Sequence, residues 1–357
     1  MSRPTCDSET DNSAAISGNN PVGNHSLVTD VKINAERVTS PAHGKAPEDE
    51  VAGDVCDVFM FKLAYRWHRY AKPVTTSTHW IVTLTCDDKP GIVHAISGAI
   101  VEAGGNITES QQFSSGDTGR FFMRLQVESD ASRKVFEQAL APVTERYAME
   151  WQLDVVGRPL RTLVLASKAG HCVNDLLYRQ RAGQLPIDLP LIMSNHPDLG
   201  SLAEFYEVPF ESHPVTTPGQ KLSFEDRILE VVEQHDIELV VLARYMQILS
   251  PELCEQLSGK IINIHHSFLP GFKGANPYKQ AHSRGVKLIG ATAHFVTSDL
   301  DEGPIIEQNV VRVDHASTAS ELVSIGQDEE SRTLTQAVKW FAEDRVLLDG
   351  ARTIIFR

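Results

Sequence analysis

Beyond Gly157-Arg158-Pro159 the chain alternates short apolar runs with longer helical segments, and this alternation limits the fold more than any other feature. Thr162–Ser167, Leu189–Ser194, Leu239–Ala243, Ile261–His265 and Leu288–Val296 have the length and composition of strands, and Val310–Val313 and Thr353–Phe356 read as two more. Strands separated by helices pair in parallel, so the expectation is a Rossmann-like α/β fold with a mainly parallel sheet and helices on both faces. Thr318-Ala319-Ser320-Glu321 has the spacing of a capping box and opens a long helix through Trp340.

The residues ahead of this region follow another plan. Trp80–Thr85 reads as a strand, Asp87-Asp88-Lys89-Pro90-Gly91 as a turn, and Ile92–Ala103 as a helix stopped by Gly104-Gly105. Asn106–Phe113 and Phe121–Val127 read as strands joined by a Ser114–Asp117 turn, followed by a helix over Ala131–Ala141 and a last strand, Trp151–Val156. The order β-α-β-β-α-β is the ferredoxin-like plan, an α+β unit. Three regions are therefore expected: an atypical extension over 1–77, an α+β domain over 78–157 and an α/β domain over 158–357. The extension is rich in Ser, Asn, Asp, Gly and Pro without period to residue 57, which reads as a disordered extension or an over-long translation start. The aromatic, basic stretch Phe59–Tyr70 reads as a short helix or linker on the first domain rather than an interfacial helix.

With a net charge of −14, a nucleic-acid backbone is not an expected partner. No apolar run is long enough to cross a bilayer, so no membrane partner is expected. Five scattered cysteines (Cys6, Cys56, Cys86, Cys172, Cys254) without CxxC spacing read as reduced thiols, and no metal is expected. Asp7, Glu9 and Asp11 stand where a signal peptide needs basic residues, which makes the cytoplasm the expected location.

Three polar residues, Asn263, His265 and Asp301, fall where strands of an open sheet should end, the place where such folds bind ligands. Asn263 and His265 are two apart on one strand and leave one face of it, with Ile262 and Ile264 on the other. These types support acyl transfer without a covalent intermediate. An Asn N–H can meet a developing oxyanion, an imidazole can stabilise it or protonate a leaving nitrogen, and a carboxylate can orient water. Taken singly, each residue is equally at home as a turn cap, a packed histidine or a loop acid.

The segments around them carry a resemblance. Asn263-Ile264-His265-His266-Ser267-Phe268-Leu269-Pro270-Gly271-Phe272-Lys273-Gly274 resembles the active-site segment of the folate-dependent formyltransferase fold, and Gly290–Val296 with Asp301-Glu302-Gly303-Pro304 resembles its second segment. The resemblance places catalysis on Asn263, His265 and Asp301. It places substrate contacts on Arg244, Tyr245, Met246, Gln247, Ile248 and Leu249 (the pterin-binding loop), and on His266, Ser267, Gly274, Val296 and Thr297. The front domain resembles an ACT domain, with ligand features on Asp88, Pro90, Gly91, Asn106 and Ile107. It serves either amino-acid sensing or dimerisation.

An ACT-like domain followed by this fold is the layout of the formyltetrahydrofolate deformylases. The resemblance implies hydrolysis of 10-formyltetrahydrofolate, without a prosthetic group, to tetrahydrofolate and formate for purine synthesis and one-carbon balance. It also implies a homo-oligomer with glycine or methionine as effector. Two features separate the chain from ribonucleotide transformylases: a single glycine in Ser167–Leu177, which weakens a phosphate cradle, and His266 where they carry Pro. An amine-acceptor transferase of the glycinamide ribonucleotide type and an inactive folate- or amino-acid-binding regulator are the rival readings.

Overall fold

The computed structural model describes residues 77–269 and 277–357. The expected extension up to residue 76, including Phe59–Tyr70, and the substrate residue Gly274 lie outside the described residues.

The front domain is built from β1 (Thr78–Asp87), α1 (Ile92–Glu102), β2 (Asn106–Ser114), β3 (Arg120–Ser129), α2 (Arg133–Arg146) and β4 (Glu150–Val155), with sheet order β2-β3-β1-β4 and antiparallel neighbours. Helix α1 starts at Gly91, whose φ of +95° is one that a side chain would strain. Its residues Ile92, Ile96, Ala99 and Ile100 recur at helical spacing and bury themselves on the sheet. Helix α2 runs past Pro142 to Arg146, beyond the end expected at Ala141. Leu140, Val143 and Tyr147 pack into the domain core, and that burial outweighs the hydrogen bond lost at proline.

The second domain continues with β5 (Leu160–Ala166), α3 (His171–Arg181), β6 (Ile187–Ser194), α4 (Gly200–Phe205), β7 (Phe210–Ser212), α5 (Pro218–Gln234), β8 (Leu239–Ala243), α6 (Pro251–Gln256) and β9 (Ile261–His265). It then runs through α7 (Pro277–Arg284), β10 (Leu288–Phe295), β11 (Ile305–Arg312), α8 (Ala319–Ala342), β12 (Val346–Asp349) and β13 (Arg352–Ile355). Seven strands form one sheet in the order β11-β10-β9-β8-β5-β6-β7. The run from β7 to β9 is parallel, while β10 and β11 are antiparallel to their neighbours. Strand-like Val310–Val313 is the tail of the longer β11, and Thr353–Phe356 leaves the main sheet to pair with β12 as a hairpin. The short strands β7 and β12 have too few residues for a period to show.

Alternation along the strands feeds two cores. Val164, Ala166, Val241, Ile262 and Ile264 pack with residues of α3, α4 and α8 on one face. Leu163, Leu165, Val240, Leu242 and Ile261 pack with residues of α5 and α6 on the other. Asn263 and His265 share the parity of Ile261, so they rise on the second face, as their spacing predicts. Thr318 and Glu321 form the expected capping box of α8.

The domains meet at the C-terminal end of α8. Arg124 on β3 is 1% exposed, and its Nε and Nη2 donate to the Glu343 carbonyl at 3.1 and 3.0 Å while Nη1 donates to Glu109 at 3.2 Å. The guanidinium thus satisfies a carbonyl that the helix leaves unpaired and sits at the negative end of its dipole. Ser115 Oγ donates to Asp349 at 2.8 Å and Arg352 to Asp117 at 2.7 Å, seating the β12–β13 hairpin on the front domain.

Candidate active site

A cleft of about 620 Å³ opens between the loop after β8, strands β9 and β10, the loop after β10, and helices α7 and α8. Asn263, His265 and Asp301 all line it, so the structure brings the expected trio together. The route differs from the expectation that all three sit at strand ends. Asn263 lies in the middle of β9, opposite His294 on β10. Because β10 is antiparallel, its last residue Phe295 pairs with Ile262 near the start of β9, and Asp301 returns to His265 on a loop folded back over the sheet. That fold-back is tight. Phe295 N–H donates to the Pro304 carbonyl at 2.9 Å, and a Cβ on Gly303 would lie 1.8 Å from the Phe295 oxygen. Only glycine admits that approach.

The polar geometry is directional. Asp301 Oδ1 lies 3.2 Å from His265 Nδ1, and this hydrogen bond, against the opposing effect of burial, holds the carboxyl below the usual carboxylate range. Asp301 is therefore ionised at neutral pH, and His265 donates to it from Nδ1. The opposite nitrogen, Nε2, is buried without a hydrogen-bond partner among the described residues. His294, 2% exposed, places Nδ1 2.8 Å from the Phe295 carbonyl, which fixes the proton on that nitrogen. Burial pushes its pKa below the ordinary histidine value. Its Nε2 lone pair accepts one N–H of Asn263 at 3.2 Å, leaving the other for a ligand in the cleft. His294 is a site residue that sequence reasoning missed. Its signal is a polar residue two positions from Thr292 on a buried strand, meaningful only once the antiparallel pairing with β9 is known.

Arg244 to Leu249, His266, Val296 and Thr297 line the cleft as expected. Met246 and Ile248 are 59% and 62% exposed there, whereas Tyr245 is buried against Phe224, with ring centroids 5.9 Å apart, and belongs to the core. Ser267 is buried behind the site, its carbonyl accepting from Thr292 Oγ1 at 3.0 Å. Asn195 also faces inward: it accepts from Ser167 Oγ at 2.6 Å, and Ser167 accepts from the Met246 N–H at 3.0 Å. The loop after β6 thereby braces the cleft loop without touching the cleft.

Among the described residues one group has metal-like spacing: ligand atoms of His171, Cys172 and Glu330 lie within 4.8 Å of one another. Its donors are already committed. Glu330 Oε2 accepts from His171 Nε2 at 2.8 Å, its Oε1 accepts from Tyr278 Oη at 2.5 Å, and Arg244 Nε stands 3.2 Å from Oε2. Cys172 is fully buried, and burial pushes its thiol far up. The cluster is an ion-pair network. Glu330 was legible as a lone acid on the buried stripe Leu322, Gly326, Glu330, Leu334 of α8.

The five residues expected to bind a regulatory ligand do not converge within one chain. The turn Asp88–Gly91 follows the end of β1 where Asp87 pairs with Arg120, and Asp88 accepts from Ser114 Oγ. Asn106 pairs with Glu128, which pairs with His79 at the other end of the sheet, eight residues or roughly 27 Å away. Ile107 packs beside Asn106 against the domain core.

With this geometry in place, the likeness to known proteins is specific. The formyl transferase family model matches residues 160–338, and the ACT domain model residues 80–140. Formyltetrahydrofolate deformylase from Corynebacterium sp. (strain P-1) is 45% identical over 280 residues, covering 78% of this chain and 98% of that protein. The Escherichia coli K12 deformylase is 38% identical over 277 residues, 77% of this chain and 97% of the relative. The crystal structure of the deformylase from Burkholderia mallei superimposes with a TM-score of 0.76 at 46% identity, covering 78% of this chain and all of that one. Glycinamide ribonucleotide transformylase 1 from Symbiobacterium toebii matches 58% of this chain and 98% of its own, with a TM-score of 0.51 and 31% identity. The transformylase thus matches a smaller share of the chain than the deformylases do. The chain belongs to the formyltetrahydrofolate deformylase family.

Proposed function

We infer that this chain hydrolyses 10-formyltetrahydrofolate to tetrahydrofolate and formate, and that Asn263, His265 and Asp301 carry the reaction. One observation supports this most: the ionised Asp301 holds Nδ1 of His265, and the unpartnered Nε2 of His265 and the free N–H of Asn263 belong to the same cleft. Water oriented by Asp301 attacks the formyl carbon. The oxygen that becomes negative accepts from Asn263 Nδ2–H and from Nε2–H of a His265 protonated on both ring nitrogens. The C–N10 bond then breaks as His265 gives its Nε2 proton to N10, the proton that water loses to Asp301 returns to His265, and formate leaves. The exposed faces of Met246 and Ile248 suit a flat pterin ring, and the remaining lining residues complete its pocket.

The reaction is placed in the cytoplasm, in keeping with buried free thiols at Cys86, Cys172 and Cys254, and its formate would serve purine synthesis. The front domain is taken as an amino-acid sensor with glycine and methionine as first ligands. Because its ligand residues lie at opposite ends of one sheet, a complete site needs a second copy, which favours a homo-oligomer. Calorimetry and initial rates with both amino acids test this; no heat and no rate change would leave the domain as an oligomerisation module.

Incubating the purified chain with 10-formyltetrahydrofolate alone and measuring formate tests the main reading. Formate is expected without any amine present. Turnover appearing only when an amine such as glycinamide ribonucleotide is added would overturn it.

A further inference from the structure

We propose that the Glu330-centred cluster is a specificity device: it fills the crevice beyond β5 and β8 from within, keeps an acceptor amine away from the formyl group, and leaves water as the nucleophile. The proposal rests on the hydrolase reading above and concerns why that reading excludes a transferase.

An open α/β sheet offers ligand space along the carboxyl edge of its strands. Here the turn after β5 and the loop after β8 both open on that edge, yet the cleft draws its lining from the β8 and β10 side and from no described residue of the turn 167–170. Arg244, Tyr278 and Glu330 form the wall on that side, with His171, the first residue of α3, behind them. Glu330 is 1% exposed and collects two hydrogen bonds and the Arg244 charge. Burial opposes its ionisation, but His171, Arg244 and Tyr278 outweigh that and hold it below the usual carboxylate range.

The arrangement is built at a cost. Arg244 adopts φ +62°, a left-handed conformation unfavourable for an arginine. Tyr278 reaches Glu330 only because residue 326 lacks a side chain: a Cβ there would lie 2.1 Å from the Tyr278 ring. Arg244 Nη1 also abuts His266 Nδ1. An arginine donates and never accepts, so Nδ1 of His266 is the acceptor in this contact. Its ring stacks on His265 with centroids 5.0 Å apart and planes 18° apart. The wall therefore reaches the catalytic imidazole itself. With Asn263, His294 and Asp301 on the other side, an amine approaching the formyl carbon would have to occupy the volume the cluster holds.

The test is a nucleophile partition. Full-length chain receives 10-formyltetrahydrofolate with excess glycinamide, and mass spectrometry reads the ratio of N-formylglycinamide to formate. In the transfer the amine nitrogen bonds the formyl carbon, the C–N10 bond breaks, and the amine's proton ends on N10. The wild type is expected to give formate. Arg244→Gly suits the left-handed backbone and opens the wall, so it should fold and raise the ratio about tenfold or more. Gly326→Ala, which displaces Tyr278 while leaving every charge in place, should shift the ratio the same way. A merely structural cluster would lower both products together and leave the ratio unchanged in either folded variant, which overturns the proposal. Absence of formate from the wild type would instead overturn the hydrolase reading.

Discussion

Asp344, just past the end of α8, is a half-buried acid at the domain junction whose replacement has a calculable effect. Burial, reinforced by Asp154 and opposed by Arg124 and Arg158, pushes its carboxyl from 3.8 up to about 6. A raised pKa means that the folded chain holds a proton there which the unfolded chain gives up. The stabilising contribution is fully present below pH 3.8 and is lost as pH rises through 6. A shift of about two units at about 1.36 kcal/mol each sets an upper bound of about 3 kcal/mol above pH 7, and about half of that at pH 5. Solvent reaching the partly exposed side chain brings the expectation to about 1–3 kcal/mol. Asp344→Asn removes the charge, keeps the shape, and tolerates the φ of +52° equally well. Urea unfolding of wild type and variant at pH 5 and pH 8 reads the difference. The variant should be the more stable, with an advantage at pH 8 about twice that at pH 5. An equal advantage at both pH values, or a less stable variant at pH 8, would refute the reasoning.

The remaining expectations concern catalysis and the glycines. Asn263→Ala should lower kcat on the order of 10²–10³-fold by removing an oxyanion donor, measured as formate release. Asp301→Asn should cost at least as much with an unchanged circular dichroism spectrum, and wild-type kcat in that folded variant eliminates the mechanism. Gly303→Ala drives a methyl group toward the Phe295 carbonyl and lifts the loop bearing Asp301, so kcat should fall at least about tenfold; normal turnover would show that the loop yields without consequence. Gly91→Val forces a β-branched residue to φ +95°, with its Cβ 3.0 Å from Tyr147 Oη, and should cost about 1–2 kcal/mol in urea unfolding.

Much of the fold was legible because its signals are local. The five apolar runs became strands of the main sheet within a few residues of their expected ends, and the capping box at Thr318 opened α8 where its spacing predicts. Pairing was less legible. Nothing in Leu288–Phe295 distinguishes a parallel from an antiparallel strand, since direction depends on where the chain returns rather than on composition. That one reversal decides how the site is assembled: it sets His294 against Asn263 and makes Asp301 arrive on a folded-back loop. Asn263, His265 and Asp301 were recognisable from long motifs, whereas His171, Tyr278 and Glu330 come from three separate elements and acquire a shared role only in three dimensions. The two regulatory stretches, Asp88–Gly91 and Asn106-Ile107, lie at opposite ends of one sheet, a separation that only the strand pairing reveals.

The Arg124 contact with the Glu343 carbonyl joins positions 219 residues apart, and Ser115 meets Asp349 across 234. Such pairings are the slowest to form, because the entropy of closing so large a loop is spent before any contact rewards it. The front sheet is local and can assemble early during synthesis with Arg124 Nη1 on Glu109, but the Nε and Nη2 edge of the guanidinium then waits in water for a carbonyl encoded more than two hundred residues downstream. Docking of the domains is thus expected to be a late step, with an intermediate in which the front domain is formed and Arg124 is still hydrated.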